Sequence, residues 1–229
     1  MEIFIMILAI GVVIAIFTYV PVLGSYLSLF NTLVHESGHA LAAELTGGQV
    51  KSISLFKSTE GAAVTHHHRI GMFITALSGY PFASFVSVVF IYMAVNHWYT
   101  AAGFLLLILL GSTLIFWVRN GFGIFWILSI LAGAYLLWYQ GYTKAIEYLL
   151  IGVSLVLLIQ AFLSCWHIFL ISIKSPKHAG DASVLARLTF IPAKLWGFLF
   201  LVQGTLLFVL GCAVWFGFDP FVDVIEKGE

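Results

Sequence analysis

The sequence predicts an all-α integral membrane protein. About seven transmembrane helices are expected, with a short membrane-associated β-hairpin after the second. Three observations carry this. The 229 residues are 62% hydrophobic and only 9% charged, where a soluble domain carries ~25% charged residues. The mean hydropathy is +1.07. Apolar runs of about 20 residues, long enough to cross a bilayer, follow one another along the chain. A formal net charge of zero gives no basic face and argues against a nucleic-acid partner.

The first apolar run spans residues 3–20 and stops at Pro21. It has no positive n-region and no small-x-small cleavage site, so it reads as a retained helix. The second, residues 23–46, closes on Gly47-Gly48, a C-cap signal. The long polar stretch that follows, residues 49–69, opens with the alternating Val50-Lys-Ser-Ile-Ser-Leu. With the turn-like Thr59-Glu60-Gly61 it predicts a hairpin over 49–66. His66, His67 and His68 are consecutive. No regular element aims all three at one ion, so they read as a solvated or interfacial run.

The third span, residues 70–95, repeats Gly71, Thr75, Gly79, Ala83 and Ser87 every four residues, a face for close helix packing. Pro81 should kink it locally. The fourth and fifth spans, 101–118 and 122–139, are joined by Arg119-Asn120-Gly121. The sixth covers 145–173. A second polar stretch, 174–190, precedes the seventh span, which runs from Pro192 to about residue 218 with Gly197, Gly204 and Gly211 spaced for a packing seam. Cys165 and Cys212 sit in apolar segments and read as buried small hydrophobes. No linker or low-complexity tract breaks the chain, so residues 1–229 read as a single membrane-embedded domain. Lys51, Lys57, Arg69, Arg119, Lys174, Lys177, Arg187 and Lys194 fall on one side of such a topology. The positive-inside rule makes that side, and the N-terminus with it, cytoplasmic.

The pattern with a specific chemistry is His35-Glu36-Ser37-Gly38-His39, inside the second span. Residues four apart share a helix face, so His35 and His39 can hold one zinc ion (Zn2+, one per chain). Glu36 can then act as general base toward a water at that ion. Ser25, Ser28, Thr32, His35, His39, Ala42 and Thr46 form one polar or small stripe, which should face a bundle interior or water. A buried histidine is commonly a packing residue. Two of them framing a glutamate, where insertion of a charge costs roughly 2.5–3.5 kcal/mol, point instead to a metal.

The third ligand has several candidates. Glu44 lies five residues past His39 and points off the ligand face. Glu147 falls near the opposite side. Glu60 in the hairpin is possible. Asp181 lies on the right side, just before a helical pattern, and is the best candidate on geometry; its plainer reading is a helix N-cap. His178 is the runner-up. Asn120 can reach the same mouth and suits a hydrogen-bonding role, to substrate backbone or in support of the metal site.

His35-Glu-Ser-Gly-His-Ala, the Leu45-Thr-Gly-Gly after it, the hairpin, and Ser78-Gly79-Tyr80-Pro81 resemble the site-2 protease family of intramembrane zinc metalloproteases, in its small bacterial branch. The resemblance covers roughly residues 22–95 and 174–195. It implies an Asp on a later helix as third ligand. The family's usual Leu-Asp-Gly is absent, and Lys177-His-Ala-Gly-Asp181-Ala-Ser-Val-Leu-Ala resembles the equivalent region. It further implies a bacterial cell-membrane enzyme with its site near the cytoplasmic side, acting on membrane-anchored proteins with a transmembrane helix, with a regulatory membrane partner possible. Two other readings compete. A membrane zinc protease of another type would take a Glu ligand from a Glu-rich motif, and none is visible. A metal transporter or pseudoprotease would spread polar residues along several spans, or lack a motif residue.

Overall fold

The computed structural model describes residues 21–66 and 68–218. The first predicted span, His67 and the acidic tail at 219–229 lie outside these residues. The described elements run α1 (Pro21–Leu45), β1 (Gln49–Leu55), β2 (Gly61–His66), α2 (Arg69–Val95), α3 (Tyr99–Phe116), α4 (Gly121–Tyr139) and α5 (Thr143–Lys174). A 3-10 turn (Pro176–His178), α6 (Gly180–Thr189) and α7 (Ala193–Trp215) complete them.

Among the described residues, five helices are long and apolar enough to cross a membrane: α2, α3, α4, α5 and α7. The expected seven crossings are thus not all recovered. One of the two remaining spans lies outside the described residues. The other, α1, is long enough at 25 residues but is not among the five; its stripe of histidine, glutamate, serine and threonine dilutes its apolar content.

Helix α1 ends as the Gly47-Gly48 signal predicts. Gly47 adopts φ +75°, its N–H donates to Glu44 O, and the Gly48 N–H donates to Ala43 O at 2.8 Å, which satisfies carbonyls the helix end would otherwise leave free. Helix α2 continues through Pro81. Its small residues Gly71, Thr75, Gly79, Ala83 and Ser87 are all buried, as the four-residue repeat predicts. Close packing follows: Ser78 Oγ donates to Gly38 O at 3.0 Å across the α1–α2 contact.

The seven-residue glycine repeat of α7 packs on α5. A Cβ at Gly197 would meet Ser172, one at Gly204 would meet Cys165, and one at Gly211 would meet Leu158, each within 2.8 Å. Gln203 Nε2 donates to Ser84 Oγ at 3.3 Å, and such side-chain bonds between helices hold a bundle where lipid offers no hydrophobic drive. Cys165 and Cys212 are free thiols.

Helices α3 and α4 are buried along much less of their length than α2 and α5. Helix α4 reaches the first half of α1 through Trp126, which is fully buried. Its Nε1 donates to Tyr26 O at 3.0 Å, and its ring meets Phe30 edge-on at 5.0 Å. The hairpin forms as predicted, antiparallel, with Ile53 opposite Ala63 and Leu55 opposite Gly61.

Candidate metal centre

The spacing of His35 and His39 places both rings on one face of α1, and α2 presses against that face at Gly79. A Cβ there would lie 2.6 Å from Cε1 of each ring, so only glycine fits. The His39 Nδ1–H donates to Thr75 O at 2.7 Å. That bond fixes the tautomer and leaves the Nε2 lone pair free for a metal. The His35 ring is braced edge-on by Tyr80, centroids 4.5 Å apart.

Asp181 completes the group. It lies in the first turn of α6, whose N-cap is Ala179, so it does not serve as the N-cap; its carboxylate turns to the histidines instead. Asp181 Oδ2 is 3.4 Å from His35 Nε2 and 3.3 Å from His39 Nε2, and the two Nε2 atoms are 3.1 Å apart.

This triangle can be tested for fit to zinc. Ligand bonds of about 2.0–2.2 Å in tetrahedral geometry set ligand atoms about 3.3 Å apart. The three observed edges match that spacing, and two imidazoles with a carboxylate suit the ion chemically. Gly79→Ala should therefore push both rings out of register. Bound zinc per chain, measured after dialysis, is expected to fall by about tenfold; unchanged zinc content would show that the rings reach the metal from elsewhere.

Glu36 is buried and stands outside the triangle. The hairpin packs over it: a Cβ at Gly61 would lie 2.6 Å from Glu36 Oε1 and 2.7 Å from Thr32 Cγ2. The Thr32 hydroxyl fastens the hairpin turn, donating to Thr59 O at 2.7 Å.

The orientation of the hairpin follows from its ladder. The Ile53 N–H donates to Trp117 O at 2.7 Å, and Ile53 O accepts from Arg119 N at 3.2 Å. The polar backbone groups of Ile53 thus point away from β2. In an antiparallel pair, partners of that kind both direct their groups outward. Ala63, and Gly61 opposite Leu55, therefore present N–H and C=O on the outer edge of β2, beside Glu36. No described strand pairs with that edge.

The other candidates lie apart. Glu60 is exposed in the hairpin turn, bonded to Ser58. Glu44 accepts from Trp117 Nε1 at 3.0 Å. Glu147 pairs with Lys144 at 2.7 Å. His178 is exposed on the 3-10 turn. Among the described residues, His35, His39 and Asp181 are the one group that could hold a metal ion. Asn120 engages both ends of its amide with the Leu55 backbone. Sequence reasoning missed Gly61 as a wall of the site and read Gly79 only as part of a helix-packing face; neither signal names the remote side chain that the glycine meets.

Fold and site together define a membrane-embedded protein with a candidate metalloprotease centre. The family described as Peptidase M50B-like matches residues 7–212. The chain belongs to that family, part of the site-2 protease group, whose peptidases are zinc metalloproteases. No curated protein and no solved structure matches the chain.

Proposed function

We propose that the chain is an intramembrane zinc metalloendopeptidase that hydrolyses peptide bonds in or near the transmembrane segment of membrane-anchored proteins. The observation that carries this is the juxtaposition of Glu36, the His35–His39–Asp181 triangle and the outward edge of β2.

His35, His39 and Asp181 would hold one zinc ion. Bound there, zinc would supply a Lewis acid that polarises a carbonyl and acidifies the attacking water. The remaining roles fall to the chain. A helical peptide bond is shielded by its own hydrogen bonds, so the substrate segment must unwind. The edge of β2 gives the extended segment a ladder to join, through Gly61 and Ala63. Glu36 takes the proton of the water as its oxygen attacks the carbonyl carbon. It then hands that proton to the amine as the C–N bond breaks. The products are a carboxylate and an amine.

The proposed placement is multi-pass in a bacterial cell membrane, N-terminus cytoplasmic, with the site near the cytoplasmic side. Lys51, Lys57, Arg69, Arg119, Lys174, Lys177, Arg187 and Lys194 flank the hairpin and helix ends around the site, which supports that side. Partners would be single-span substrates and a membrane protein that regulates access.

The test compares membranes of cells carrying wild type with cells carrying Glu36→Gln. Short single-span fragments should accumulate only with the variant. If none accumulates while purified protein holds one zinc per chain, the chain is a metal-binding protein of another kind, a pseudoprotease or transporter.

A further inference from the structure

We propose that Asn120 is a positioning residue: through the backbone of Leu55 it holds the hairpin so that the open edge of β2 lies over Glu36. The inference rests on the reading of that edge as the substrate ladder.

The connector between α3 and α4 is a third strand in all but length. Val118 pairs with Ile53 in parallel, and the Trp117 and Arg119 backbones take both polar groups of Ile53. At the next outward position, Leu55, the side chain of Asn120 replaces the backbone. The Leu55 N–H donates to Asn120 Oδ1 at 3.1 Å, and Asn120 Nδ2 donates to Leu55 O at 2.6 Å. A carboxamide offers the same donor and acceptor as a peptide group, so it extends the ladder by one rung.

The connector is itself tied to two helices. Trp117 Nε1 donates to Glu44 near the end of α1, and the Arg119 guanidinium donates to Ile115 O and Phe116 O at the end of α3. The hairpin is thus held on one side by this connector and on the other by Thr32 and Glu36 of α1. Ile53 and Leu55 are fully buried between them. Removing Asn120 frees the end of β1 opposite Gly61, the residue that contacts Glu36.

The same geometry separates Asn120 from substrate. The connector, β1, β2 and a strand added to β2 would lie side by side, about 4.8 Å apart. Asn120 would then sit about 14 Å from the substrate backbone, with both amide ends engaged. Its effect is exerted through the hairpin.

Two variants test this in the full-length, zinc-loaded protein in detergent. Asn120→Ala removes the amide. Gly123→Ala leaves it but displaces it, because a Cβ at Gly123 would lie 2.6 Å from Asn120 Oδ1. The probe is a dual-tagged single-span reporter protein. A misplaced reacting group costs on the order of 10²-fold in rate, so both variants should lose that much in kcat. KM should stay within about twofold of wild type, because the edge of β2 is intact. Zinc should remain one per chain, melting should hold, and amides of residues 49–66 should exchange faster while those of α1 do not.

A rise in KM with kcat unchanged would make Asn120 a substrate contact and overturn the proposal. Loss of zinc or melting temperature in step with activity would make it a packing residue. Hairpin exchange equal to wild type would show that the connector holds β1 without it, whatever the reporter does. A wild type that cuts nothing, in cells or in detergent, counts against the protease reading and not against this role.

Discussion

Glu36→Gln is expected to abolish cleavage while leaving the metal in place. Glutamine keeps the shape of the side chain, so its packing under Gly61 is retained. It cannot accept the proton of the attacking water, and general base catalysis contributes about 10²–10⁴-fold. Turnover of the single-span reporter should therefore fall by about 10³-fold or more. Zinc should stay at one per chain, because Glu36 is not a member of the His35–His39–Asp181 triangle. The two readouts must be taken on the same preparation. A variant that cuts near the wild-type rate removes Glu36 from the role of base. One that loses zinc as well shows that its carboxylate supports the metal directly.

Asp181→Ala carries the second large effect. The alanine deletes one corner of a triangle whose edges are 3.1–3.4 Å and leaves two histidines four residues apart. Zinc affinity is expected to fall by more than about 100-fold, and cleavage with it. Glu60→Ala is the matched control. Glu60 is exposed in the turn and its carboxylate accepts from Ser58, so zinc should be unaffected. The reverse result, metal lost with Glu60→Ala and kept with Asp181→Ala, would place the third ligand in the hairpin and favour a protease of the Glu-ligand type. His178→Ala distinguishes the remaining candidate and should also keep its zinc.

Much of the site was legible because it is local. His35, Glu36 and His39 lie within five residues, and helical spacing alone puts the two rings together. The hairpin was legible because alternation of Ser52, Ile53, Ser54 and Leu55 is also a local signal. Asp181 was harder. Its position made it the best of the carboxylates on geometry, but an N-cap reading competed. The fold separates them: Ala179 is the cap, and α6 packs against α2 and α7 with Asp181 turned to the rings. Asn120 was singled out for a hydrogen bond, but its partner is 65 positions away on β1, and no periodicity links the two.

By itself, then, the sequence determined the class of protein, five of the seven expected membrane spans, the hairpin and the pairing of His35 and His39 on one helix face. Each depends on composition or on residues within a turn or two of one another. Tertiary structure decided which carboxylate closes the triangle, which edge of the hairpin stays open, and why Gly61 and Gly79 tolerate no Cβ. These are contacts between segments brought together by packing. Their energies depend on the distance between atoms far apart in the chain, which the pattern of residues along any one element does not contain.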